Sequence, residues 1–194
     1  MAKATHKVYS LESADKKLAE MIVYIAQRSG DDDKFGAVKL NKILYYADFI
    51  AYRRLGHAIS GTEYQHVEEG PAPRRLVPVR NELAQTGAIT LYEQEHFGRV
   101  QQRIKAERLP DLSLFTLDEI AILDEVLQEL RPLNGKEVSE RSHREPGWKL
   151  TEDLQTIPYR TAWLSPEPMD EEQIETAIEI ARRHGISAQP DGIA

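Results

Sequence analysis

Few side chains in this chain are spaced so that they could do chemistry together. The six histidines are His6, His57, His66, His96, His143 and His184, and no two stand two or four residues apart, so no local metal pair forms. His66 with Glu68 and Glu69 groups an imidazole with two carboxylates, but a polar strand edge accounts for the same residues. His143 and Glu145, joined by a tyrosine, would suit general acid–base work if a closed pocket of roughly a few hundred Å³ drew them together. Their H-x-E spacing matches zinc deaminases only superficially. Those sites also need a P-C-x-x-C segment, and the chain has no cysteine. The same absence removes disulfides, zinc ribbons, thiol catalysis and iron–sulfur clusters.

Other signatures are missing too. There is no phosphate-cradling GxxxxGK[ST] loop, no GxGxxG at a helix start, no HExxH and no GxSxG. No metal site is indicated by these spacings. Tyr45, Tyr46, Tyr52, Arg53 and Arg54, with Arg74, Arg75 and Arg80, mix aromatic and basic residues as nucleic-acid binders do. The tyrosines fit a core better, with hydroxyls reaching polar partners at its edge, and nucleic acid ranks below protein as a partner. Charge points the same way. Residues 1–108 carry 17 basic and 14 acidic side chains, and residues 109–194 carry 8 and 18, for a net charge of −7. An acidic half disfavours broad nucleic-acid contact, although acidic first turns of helices explain much of it.

The elements that would position these residues follow from composition and periodicity. With 194 residues, 41% hydrophobic and 29% charged, the chain suits one globular domain with an appendage. Its densest apolar stretch, residues 21–26, is far short of a membrane span. Its first ten residues lack the apolar centre of a leader, so the cytoplasm is the expected location.

Leu18, Met21, Ile22 and Ile25 repeat at helical spacing and predict a first helix, capped by Ser13 and stopped by Ser29-Gly30. Residues 36–55 are apolar at nearly every angle, which predicts a buried central helix stopped by Gly56. Thr62, Tyr64 and Val67 suggest a short strand. Gly70-Pro71-Ala72-Pro73 then opens a third helix with Pro73 near its first turn, Leu76, Val79, Leu83 and Ala84 inward, and a kink at Pro78. Residues 88–106 read as a hairpin turning at residues 95–98, so two or three short strands make a small antiparallel sheet.

Thr116 and Glu119 form a capping box for a fourth helix with Ile120, Leu123, Leu127 and Leu130 inward. Asn134 and Glu137 repeat it for a short fifth helix, ended by Glu145-Pro146-Gly147 before Trp148. Residues 149–168 look irregular, anchored by Ile157, Tyr159, Trp163 and Leu164. Asp170 caps a last helix that carries Ile174, Ala177, Ile178 and Ala181 and stops at Gly185. The fold class is mainly α (α+β): a helical domain around a buried central helix, with a small two- to three-stranded antiparallel sheet. The expected organisation is an arm over 1–12, a domain over 13–150, an extension over 151–186 whose terminal helix packs on the domain, and a disordered tail over 187–194.

Two segments go beyond composition. The first is Leu40-Asn41-Lys42-Ile43-Leu44-Tyr45-Tyr46-Ala47-Asp48, followed by Gly70-Pro71. The second is Ser142-His143-Arg144-Glu145-Pro146-Gly147-Trp148-Lys149. In this order and at this distance they resemble the Panacea domain, the SocA-like antitoxin domain of bacterial and phage toxin–antitoxin pairs, over about residues 15–150. That family's pattern runs from a K-L-x-K-L-L-Y-Y-A-type helix, through a G-P-x turn into a helix, to a [ST]-H-x-E-x-x-W-type segment. The chain departs from it at Asn41 and Ile43, and at Ala72-Pro73-Arg74-Arg75, where a β-branched residue is commoner.

The resemblance implies a mainly helical domain that neutralises a cognate toxin by direct contact, with no catalytic residues or cofactors. It marks Tyr45, Tyr46, Gly70, Pro71, His143, Glu145 and Trp148 as motif or partner-binding residues. Consecutive helical side chains point about 100° apart, so one tyrosine should fill the core and the other reach toward the second motif. His143, Glu145 and Trp148 either lock the C-terminal segment onto the central helix or line a groove that admits a toxin segment. A proteolytic adaptor for a toxin and a nucleic-acid-contacting regulator are the alternatives to simple neutralisation, an enzyme ranks last, and a homo-oligomer is compatible with the sequence.

Overall fold

Residues 13–96, 99–165 and 171–183 are described by a computed structural model of the chain, which divides into two units, Met1–Leu164 and Ser165–Ala194. The predicted arm over 1–12, the hairpin turn at 97–98, Asp170, Gly185 and the tail over 187–194 lie outside the described residues.

The first amphipathic stripe becomes α1 (Ser13–Arg28), which buries Leu18, Met21, Ile22 and Ile25. The apolar run after Gly36 becomes α2 (Ala37–Leu55), with 11 of its 19 residues buried. Gly56 stops it with a left-handed φ of 79°, its N–H on the Tyr52 carbonyl. Helix α2 is the central post. It packs against α1, α4 (Leu117–Leu130), α5 (Gly135–Ser142) and a 3-10 turn at Tyr159–Trp163. Both capping boxes form: Thr116 with Glu119 opens α4, and Asn134 with Glu137 opens α5. The inner face of α4 includes Ile122 and Val126 besides Leu123 and Leu130, while Ile120 and Leu127 are only half-buried, so the stripe is rotated from the one predicted.

The fold class is as the sequence predicts, mainly helical with small antiparallel sheets. The strands, however, form two sheets rather than one. β1 (Tyr64–Gln65) is the middle of a three-stranded sheet with β2 (Ala72–Pro73) on one side and β5 (Thr156–Ile157) on the other. Tyr64 pairs with both Pro73 and Ile157. β3 (Ile89–His96) and β4 (Arg99–Ala106) form a separate hairpin with eight unbroken pairs.

Pro73 therefore ends a strand rather than starting a helix. Helix α3 (Leu76–Gln85) begins three residues later and places Pro78 in its first turn, where a missing N–H costs no helical hydrogen bond. The segment after Glu145, read as a stop, forms a one-turn helix, α6 (Pro146–Lys149), with Pro146 at its start. Residues 156–163, read as irregular, supply β5 and the 3-10 turn that packs on α2.

In the second unit, α7 (Glu171–Arg183) has Glu171 and Glu172 in its first turn and Arg182 and Arg183 in its last, the arrangement its own dipole favours. Among the described residues no helix is long and apolar enough to cross a membrane.

Candidate functional site

The two motif segments meet around one glycine. Gly70 has a φ of +91°, and a Cβ there would stand 2.2 Å from Ser142 Oγ and 2.9 Å from Lys42 Nζ. Only glycine fits both the backbone and the space. The turn thus lies directly on α2 through Lys42 and on α5 through Ser142, both fully buried. Lys42 Nζ donates to the Pro71 carbonyl at 3.0 Å. Ser142 Oγ donates to the Ser139 carbonyl, and Ser139 Oγ donates to the Glu69 carbonyl, both at 2.8 Å. Burial lowers the Lys42 ammonium to about 7, with Glu69 opposing.

The tyrosines separate as their spacing requires. Tyr45 is 2% exposed and packs with Phe49 at 4.2 Å and Tyr64 at 5.7 Å between ring centres. Tyr46 turns to the second motif, with the Arg141 guanidinium 5.2 Å over its ring. Its hydroxyl is buried with no hydrogen bond inside 3.5 Å, although Glu145 and Arg141 stand close enough to act on it electrostatically. Burial pushes both phenols well above their usual range, and it raises the Glu145 carboxyl against the opposing pull of the Tyr46 hydroxyl.

Trp148 and His143 form the other half of the junction. His143 caps α5, and its Nε2 lies 3.5 Å from Ser139 Oγ. Its ring stacks on Trp148 at 4.2 Å, and so does the ring of His66, at interplanar angles of 23° and 20°. Trp148 Nε1 donates to the Val67 carbonyl at 3.2 Å. His66 Nδ1 lies 3.0 Å from the Trp148 carbonyl, which can only accept, so that nitrogen carries the proton. Gly147 lets α6 lie against β5 and the 3-10 turn: a Cβ there would meet Thr161 Oγ1 at 2.5 Å and Ile157 Cγ2 at 2.7 Å.

Asp48 sits in the buried middle of α2. It is fully buried and accepts from Ser60 N, Ser60 Oγ and Tyr64 Oη. Tyr159 Oη donates to the Thr62 carbonyl at 2.6 Å and lies 3.5 Å from Asp48. Burial raises the Asp48 carboxyl, and the hydrogen bonds only partly offset it.

The structure therefore brings Tyr46, Gly70, Pro71, His143, Glu145 and Trp148 to the contacts that join α2, the Gly70 turn, α5 and α6, and places Tyr45 in the core against Phe49 and Tyr64. Gly70, Pro71, Tyr45 and Tyr46 are buried, and His143, Glu145 and Trp148 are half-buried. Lys42, His66 and Ser142 act at the same junction, while Asp48 ties α2 to Ser60, Tyr64 and Tyr159 and Gly147 lets α6 lie against Ile157 and Thr161; the sequence reading assigned none of them such a role. A charged residue on a helix apolar at every angle was the signal available for Lys42 and Asp48. A cavity of about 410 Å³ lies elsewhere, lined by Arg28, Asp32, Lys39, Asp124 and Arg131 among others, and none of the seven residues borders it. There Lys39 and Asp32 form a buried ion pair at 2.6 Å, and Arg28 meets Asp124 at 3.3 Å. Among the described residues no three His, Asp or Glu side chains are grouped to hold a metal.

A family model for the antitoxin SocA-like Panacea domain matches residues 40–149, more than half of the chain. The chain belongs to that family. No curated protein and no solved structure matches it. The match runs from the first motif on α2 to the end of α6, so the Gly70 junction joins the two ends of the Panacea domain.

Proposed function

We propose that this Panacea-domain protein is an antitoxin that neutralises a cognate toxin in the cytoplasm by direct protein–protein contact. The family match over residues 40–149 carries the reading. The geometry supports it, because the residues that define the domain are engaged in holding it together. Gly70, Lys42 and Ser142 fill one another's space, and Trp148 is taken up by two histidines and the Val67 carbonyl. A rigid body that works by touch needs no convergent reactive groups, and it would cover roughly 800 Å² of each partner.

The test is co-expression with the product of the adjoining open reading frame. That product alone should arrest growth, this chain should restore it, and the two should co-purify. An immunoblot separates direct neutralisation from delivery to a protease: blocking leaves the toxin level unchanged, whereas delivery lowers it. Failure both to restore growth and to co-purify would refute the antitoxin reading.

A further inference from the structure

The β3–β4 hairpin pairs with no other strand among the described residues, so the outer edge of β3 is open. Glu107 N donates to the Ala88 carbonyl, and the register sets these two opposite each other. Hydrogen-bonded pairs in an antiparallel ladder recur at every second residue. Residues 90, 92 and 94 thus face β4, and the N–H and C=O groups of Leu91, Glu93 and Glu95 point outward. Residues 90–95 are all exposed.

Edge strands are usually guarded by proline, charged side chains (lysine above all), a bulge or short length. Over eight residues β3 has no proline or lysine, and its register has no bulge. What it does carry is negative charge, Glu93 and Glu95, on the same face as the exposed Leu91. β4, the strand it does pair with, carries Arg103 and Lys105. Arg103 donates to the Asp32 and Asp33 carbonyls and Gln101 donates to the Lys34 carbonyl, so β4 is tied to the body, whereas β3 is anchored at the buried Ile89 and exposed over residues 90–95.

We propose that the outer edge of β3 docks an extended segment of a partner protein as an added strand, with basic residues alternating with apolar ones. Main-chain hydrogen bonds to Leu91, Glu93 and Glu95 would supply affinity, and Glu93 and Glu95 would select basic side chains opposite them. A second copy of β3 would bring its own two glutamates to this edge, which favours a different protein. This rests on the antitoxin reading only in naming the toxin as donor of the segment.

The experiment uses the full-length chain, labelled for amide NMR, with acetyl-(Lys-Val)4-amide as probe and acetyl-(Glu-Val)4-amide as control. The basic peptide should shift and protect the amides of Leu91, Glu93 and Glu95. The double variant Glu93→Lys/Glu95→Lys should weaken it roughly tenfold or more with an unchanged thermal melt. Glu93→Pro removes an outward N–H without touching the ladder, and it should abolish the protection while Arg103 and Ile104 stay protected.

Equal binding of the acidic peptide, shifts confined to another surface, or a dimer of the wild-type chain that the double variant dissolves would overturn the proposal. In the growth assay, a wild-type chain that fails to rescue counts against the antitoxin reading and leaves the peptide result standing. A wild-type chain that rescues no better than Glu93→Lys/Glu95→Lys counts against the edge.

Discussion

Replacing Gly70 by alanine should destabilise the protein by about 2–5 kcal/mol, from two separable sources. An L-residue held at φ +91° is strained by about 1–2 kcal/mol. The new methyl would also stand 2.2 Å from Ser142 Oγ and 2.9 Å from Lys42 Nζ. Both side chains are fully buried, so neither can swing into solvent, and overpacking of this kind costs about 1–3 kcal/mol. Gly61 and Gly87 are internal controls. Their φ values are +70° and +73°, yet a Cβ at either would meet nothing within 4 Å. Alanine there should cost only the strain.

Urea unfolding of the three variants, followed by tryptophan fluorescence, therefore splits the effect. The excess of Gly70→Ala over Gly87→Ala measures the clash. Adding Ser142→Ala should recover part of that excess, with a coupling of about 1–3 kcal/mol, even though Ser142→Ala alone loses the bond to the Ser139 carbonyl at about 1 kcal/mol. If Gly70→Ala costs no more than Gly87→Ala, the turn is not clasped between α2 and α5 and the reasoning fails.

Lys42 should make stability rise with pH. Its folded value of about 7 lies below the ordinary 10.5, so between those limits the unfolded chain holds a proton that the folded chain does not. Urea midpoints taken from pH 6.5 to 9.5 should climb for the wild type relative to Lys42→Met, and parallel curves would refute the assignment. Asp48 acts with the opposite sign. Its carboxyl is raised above 3.8, so the folded chain keeps the proton longer and stability falls as pH rises above about 4. Asp48→Asn should remove that component, read as a wild-type minus variant difference in melting temperature that declines with pH. At Trp148, phenylalanine keeps a ring against His66 and His143 and should cost about 1 kcal/mol for the lost Val67 bond. Alanine should cost about 3 kcal/mol, and a thermal melt that leaves the two indistinguishable would count against the stack.

What the sequence reveals is what is local. The stripe on α1, the all-round burial of α2 and the two capping boxes are each written within a few residues, and all appear in the structure. The strand at Tyr64 is legible from Thr62, Tyr64 and Val67, but its partners β2 and β5 are not, because each is two residues long and carries no periodicity. Pro73 ends β2 rather than opening a helix, and a proline suits both an edge strand and a first helical turn. At the site, resemblance identified Gly70 and Trp148, but not that Trp148 would meet His66, a partner 82 positions away. Periodicity counts apolar residues and is silent on a buried charge. Lys42 and Asp48 therefore passed as spacing in an apolar pattern, although each sits at the centre of a hydrogen-bonded junction.

The clasp also bears on where recognition should be sought. Gly70, Ser142 and Trp148 join segments far apart in the chain, so their contacts close long loops and restrict the body to one arrangement. A body already ordered loses less entropy on association than one that folds on its partner. Residues engaged in that ordering cannot also be free to adapt to a partner, since changing Gly70 or Lys42 for a new contact would loosen the core. Adaptable contacts belong on elements that the core does not depend on. The distal half of the β3–β4 hairpin is such an element. Its residues 90–95 are exposed, its outward main-chain groups can pair with an added strand, and Glu93 and Glu95 can favour basic residues on that strand.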